Sequence, residues 1–142
     1  MADVALLRKR VRSAIDAGRR GAAERRERSA HAGRAYEAFL NDVAVPAFRQ
    51  LANILRAEGL LFEMQTPAGG VSLVADRSRD DRLELELDST TDPPTPTLIV
   101  SRQRGSRMLR TERTVKTGGT IESITEDELI DRVIDELRPW LE

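Results

Sequence analysis

Tyr36, Phe39, Leu40, Val43, Phe48, Leu51, Ile54 and Leu55 recur at steps of three and four residues, the spacing that gathers side chains on one side of an α-helix. Gly59 can take the left-handed conformation that ends a helix, so the pattern predicts a scaffold helix over Tyr36–Glu58. Pro46 lies inside it. Lacking an N–H and crowding the preceding turn, it either kinks one helix or opens a second. Upstream, Val4, Leu7, Val11, Ala14 and Ile15 keep helical spacing among Arg8, Lys9, Arg10 and Arg12. Gly18 and Gly21 then weaken the helix by roughly 1 kcal/mol each relative to alanine, while Ala22 to Arg34 offers only alanines to bury.

After Gly59 the period changes from helix to strand. Leu60, Phe62 and Met64 alternate with Leu61, Glu63 and Gln65, and the Thr66-Pro67-Ala68-Gly69-Gly70 cluster reads as a hairpin loop into Val71, Leu73 and Ala75. The cleanest alternation follows, with Leu83, Leu85 and Leu87 on one face and Glu84, Glu86 and Asp88 on the other. It marks a half-buried strand. Pro93, Pro94 and Pro96 predict an exposed loop. Thr97–Ser101 and Arg107–Val115 read as two more strands around a Gln103-Arg104-Gly105-Ser106 turn.

The last element is the best signalled. Thr125 and Glu128 form a capping-box pattern, Ile124 can staple against Leu129, and Ile130, Val133, Ile134, Leu137 and Leu141 make an apolar stripe. The order predicts an α+β fold with a long N-terminal helical region, an antiparallel meander of about five strands, and a C-terminal helix packed on the sheet. Residues 1–34 form a basic helical arm and 35–142 the α+β domain. The helices Tyr36–Glu58 and Thr125–Leu141 are expected to cover one sheet face. On the other, Glu84, Glu86 and Asp88 are expected to pair across strands with arginines from Arg102 to Arg113, and any apolar part of it, through Leu61, Val74 and Ile99, would be a partner surface.

Composition adds limits. The chain has 142 residues, 39% hydrophobic and 33% charged, which suits one folded domain with a modest core. With no cysteine, thiolate chemistry, disulfides and cysteine-bound zinc are excluded. No run of apolar residues is long enough to span a bilayer, and the first residues lack the apolar core of a secretory signal. The expectation is a cytoplasmic protein without membrane contact.

A net charge of −1 conceals polarity along the chain. Residues 1–34 hold ten basic against four acidic side chains, a balance of +6, whereas residues 122–142 hold eight acidic against two basic, a balance of −6. Either the basic end seeks a polyanion, or the two ends meet, within one chain or between two. Val4, Leu7, Val11 and Ala14 fit coiled-coil spacing, but the register fails at Gly18 and Gly21. Docking of this segment on its own domain and a helix-mediated oligomer contact both remain open.

The chemistry-bearing residues are sparse. His31, the one histidine, has no carboxylate near it in sequence and reads as a solvated side chain. Asp80, Asp81, Glu84, Glu86 and Asp88 read as an exposed acidic face rather than an acid–base pair or metal site. Lys116, Gly118 and Gly119 have the wrong spacing for a nucleotide loop, and the acidic turn after them repels anions. No catalytic, metal or cofactor constellation is recognisable, so no cofactor is expected.

Two groups of cations are candidate anion or partner contacts: Arg8, Arg12, Arg19, Arg20, Arg25 and Arg26 on the arm, and Arg102, Arg104 and Arg107 around the glycine turn. Val4, Leu7, Val11 and Ile15 are the candidate self-association residues. These features point to a small non-enzymatic interaction or adaptor domain, self-associating through its N-terminal helical region into a homo-oligomer or docking a protein partner. A nucleic-acid-binding accessory protein using the arginine-rich arm is the alternative, although the arm has no aromatic residue for base stacking.

Overall fold

The computed structural model describes residues 3–142. The fold is α+β, with a long N-terminal helix, a five-stranded antiparallel sheet and a C-terminal helix. Helix α1 (Val4–Phe39) runs into a wide π-turn (Leu40–Ala44) and then α2 (Val45–Ala57). Strands β1 (Phe62–Gln65), β2 (Gly70–Ala75), β3 (Arg82–Asp88), β4 (Thr95–Arg104) and β5 (Arg107–Thr114) follow, paired in sequence order. A short 3-10 turn (Ile121–Ser123) leads into α3 (Glu126–Leu141).

The helical boundaries differ from the sequence expectation in one respect. Gly18 and Gly21 do not interrupt α1, so Tyr36 lies near the end of one 36-residue helix rather than at the start of a separate scaffold helix. Pro46 stands in the first turn of α2, where a missing N–H is tolerated. The preceding π-turn, in which the Val45 N–H bonds to the Leu40 carbonyl, widens the helix there and spares a break. Phe39, Ala44, Ala47 and Phe48, in and around this turn, are all buried.

One sheet face carries the core. Val71, Leu73, Leu83, Leu85, Leu98 and Val100 share it, because residues directly opposite in the register, such as Leu73 and Leu83 or Leu85 and Leu98, point the same way. Tyr36 and Phe39 of α1, Phe48, Leu51 and Leu55 of α2, and Leu129, Val133, Leu137 and Trp140 of α3 close over it. The start of α3 is held by the capping box: the Glu128 N–H donates to Thr125 Oγ1 at 3.1 Å and the Thr125 N–H to Glu128 Oε1 at 3.1 Å. Ile124 and Leu129 on either side of the cap are both buried. Pro139 does not end α3, and Trp140 beyond it is buried edge-on to Phe62 with ring centroids 5.7 Å apart.

The opposite sheet face is organised differently from the cross-strand pairing expected for it. Glu84 pairs with Arg82 two residues away on its own strand (2.9 Å), and Glu112 pairs with Arg110 on its own strand (3.2 Å). Arg102, Arg104, Arg107 and Arg113 have the wrong parity to reach Glu84; they share the face of Leu98 and Val100, and Arg113 instead meets Glu136 of α3 at 3.0 Å. Asp88 turns to the loop and accepts the Thr90 N–H. Val74 and Ile99 do lie on this face, yet both are buried, opposite the long side chains of Glu63 and Arg82 and of Glu84 and Glu112. Those two present no open apolar surface, whereas Leu61, just before β1, is 51% exposed.

Candidate interaction helix and the cleft at its root

In α1 only Ala32, Tyr36 and Phe39 are buried. Every residue from Asp3 to Arg20 is exposed, so among the described residues this segment is not packed against its own domain. Asp3 caps it, accepting the Ala5 N–H at 2.8 Å. Val4, Leu7, Val11 and Ile15, the candidate self-association residues, lie along one side of these free turns and are 69%, 43%, 57% and 48% exposed. Gly18 continues the same side. Arg8, Arg12 and Arg19 flank the stripe, and Arg20, Arg25 and Arg26 follow. All six are exposed and, among the described residues, none enters an ion pair.

A free helix of this composition is poorly supported by local forces. Short helices are marginal in water even with good formers, Gly18 and Gly21 weaken this one, and Asp16 and Arg20, although spaced as an acid-before-base pair, form no ion pair to support it among the described residues. The stripe of exposed valine, leucine and isoleucine adds apolar surface left in water.

The root of the arm is fastened to the body. Arg28 holds Asp92 with two parallel hydrogen bonds, Nε to Oδ1 at 3.1 Å and Nη2 to Oδ2 at 2.9 Å. The hydrogen bond from Arg28 keeps the Asp92 carboxyl below its ordinary range, and Asp92 in turn raises the guanidinium. One turn on, His31 Nε2 lies 2.9 Å from Glu122 Oε1. His31 is exposed, as expected of a solvated histidine, and the fold adds a carboxylate partner from the 3-10 turn. Tyr36 completes the attachment by donating to the Gly69 carbonyl at 2.8 Å. Burial and then Glu86 raise its pKa, so the phenol stays a neutral donor.

These contacts frame a cleft of about 540 Å³ between α1, the Pro93-Pro94 loop and the Gly118-Gly119 turn. Three of its rim cations are committed, Arg28 to Asp92, His31 to Glu122, and Lys116 to Glu128 at 3.1 Å, whereas Arg34, which also lines it, enters no ion pair among the described residues. Sequence spacing held no signal for these partners.

The second group of candidate cations stands elsewhere. Arg104 and Arg107 face each other across the β4–β5 hairpin tip, both exposed, while Arg102 lines a groove of about 580 Å³ against Arg132 and Glu136 of α3. The structure does not bring arm and hairpin arginines into one site. Of the carboxylates, Asp81 is buried rather than part of an exposed acidic face, because it accepts the Gln103 N–H at 2.8 Å and the Trp140 Nε1–H at 3.4 Å. It ties β4 to the end of α3. Among the described residues no group of three or more histidines and carboxylates is arranged to hold a metal ion, and no helix is long and apolar enough to cross a membrane.

Comparison of the chain with protein-family models, with curated proteins and with solved structures gives no match.

Proposed function

We propose that this protein is a small, non-enzymatic interaction or adaptor domain of the cytoplasm that self-associates through the arm of α1. The observation that carries the proposal is the open stripe Val4, Leu7, Val11 and Ile15 on helical turns that, among the described residues, are exposed throughout. Apolar side chains held in water on an otherwise weak helix are stabilised when a second surface covers them. The non-enzymatic part rests on how the polar groups are spent: Asp81, Glu84, Glu128 and His31 each hold a structural partner.

The test is molar mass by light scattering on the full chain and on the Leu7→Ser/Val11→Ser double variant, which alters no buried residue. The parent is expected above the monomer mass of 15.9 kDa and the variant closer to it. Equal masses for the two would remove the arm from the account.

A second reading draws on the exposed, unpaired arginines Arg8, Arg12, Arg19, Arg20, Arg25 and Arg26: an accessory protein that binds nucleic acid along the arm. Phosphate neutralisation by these side chains would give nonspecific binding that falls steeply with salt. Retardation of duplex or single-stranded nucleic acid at low salt, lost on replacing the six arginines with glutamine, supports this reading; absence of any shift at low salt ends it.

A further inference from the structure

The acidic end of the chain has a surface that matches the arm. The buried side of α3 is Leu129, Val133, Leu137 and Trp140, which leaves Ile130, Ile134 and Leu141 along one edge. Ile134 and Leu141 are 37% and 41% exposed, and Ile130 is half-buried. Asp127 and Asp131 border that edge and, among the described residues, enter no ion pair.

The two surfaces agree in length, pattern and charge. The free turns Val4–Arg20 extend about 25 Å and α3 about 24 Å at the α-helical rise per residue. Each has an apolar stripe bordered by charges of one sign. Residues 4–20 hold six basic and one acidic side chain, leaving +5, and residues 126–141 hold six acidic and two basic, leaving −4. Two arms laid against each other would instead bring Arg8, Arg12 and Arg19 beside their like. The arm cannot fold back on its own α3, because α1 is one unbroken helix clamped to the body at Arg28 and His31.

Resting on the self-association reading above, we propose that the occupant of the α3 edge is the arm of a second copy of this chain. The two arms exchange reciprocally, so that each dimer contains the same helix-on-helix contact twice about a two-fold axis. Val4, Leu7, Val11 and Ile15 cover Ile130, Ile134 and Leu141, and Arg8 and Arg12 approach Asp127 and Asp131.

Two full-chain variants test this: Arg8→Glu/Arg12→Glu, reversed on the arm, and Asp127→Lys/Asp131→Lys, reversed on α3. All four positions are exposed. Sedimentation velocity is run on the parent, on each variant alone, and on an equimolar mixture. Each variant alone is expected to dissociate at least about tenfold more readily than the parent, because like charges then meet in both contacts. The mixture is expected to form a heterodimer with affinity near that of the parent, since both of its contacts then join opposite charges. A misfolded variant cannot produce that recovery. An α3 variant that associates as the parent does means that arm meets arm; it overturns this inference and leaves the self-association reading standing. A mixture that does not recover overturns the inference as well. A parent that is strictly monomeric overturns both.

Discussion

Arg28 and Asp92 divide α1 into two parts with different physics. Their paired hydrogen bonds, at 3.1 and 2.9 Å, are the N-terminal fastening of the helix to its own body, followed closely by His31 to Glu122. Beyond them toward the N-terminus the helix has, among the described residues, only its own hydrogen bonds, whereas Ala32, Tyr36 and Phe39 belong to the core.

Replacement of Arg28 with alanine should therefore act locally. Amide hydrogen exchange is expected to quicken over residues 21–31, with the global melting midpoint moving by less than about 4 °C, since exposed ion pairs contribute little to whole-domain stability. A large drop in the midpoint with unchanged local exchange would show that the clamp supports the core instead.

Asp81 should behave in the opposite manner. Replacing it with alanine leaves the Gln103 N–H and the Trp140 Nε1–H without their partner in a buried setting, and the expected loss is about 1–3 kcal/mol in urea unfolding. Trp140, the one tryptophan in the chain, reports this directly, and its emission should shift toward the red. Parent-like stability would mean that the carboxylate is dispensable for joining β4 to α3.

Gly70 has no room for a side chain beside the neighbouring strand. A Cβ built there would lie 2.5 Å from the Leu85 carbonyl oxygen on the neighbouring strand, a backbone atom that cannot swing away. Gly70→Ala is expected to destabilise the fold by about 1–3 kcal/mol, read as a lower denaturation midpoint. An unchanged midpoint would contradict the close pairing of β2 with β3 at this position.

Acid should weaken the fold in a way that one side chain reveals. The Thr125 backbone N–H and then Lys116 hold the Glu128 carboxyl below its ordinary value of 4.5, and Thr90 does the same for Asp88 from 3.8. A carboxyl whose folded pKa is depressed contributes stability above its unfolded value, and that contribution is lost as pH falls through the folded one. Melting temperature should thus decline as pH drops below about 4.5, with a shallower decline in Glu128→Gln. An equal slope in the two proteins would show that Glu128 does not take part.

Local signals in the chain were legible where the cause is local. The Thr125–Glu128 box depends on residues three apart, and the alternation of Leu83, Leu85 and Leu87 fixes which side of β3 enters the core. Meander order followed from strands too close in sequence to cross over. Long-range partners were not legible: Asp92 and Arg28 are 64 residues apart, and nothing in the spacing around His31 indicates Glu122. Pro46 announced a lost hydrogen bond, but whether the helix breaks or widens depended on keeping Phe39 and Phe48 in one core. Parity misled for Arg113, because the arginines of β5 alternate between faces and only Arg110 shares a face with Glu84. The glycines at 18 and 21 lower helix propensity without dictating a break; the apolar stripe was legible in the spacing, but that its turns stand away from the body became visible only when α1 proved continuous.

The central claim is that the arm of α1 is a self-association element, and sedimentation equilibrium of the unmodified full chain across a range of protein concentrations tests it most directly. The account predicts a mass that rises from 15.9 kDa toward twice that value as concentration increases, with a weaker rise at high salt because charges border the apolar stripe. A mass that stays at 15.9 kDa at every concentration would contradict it.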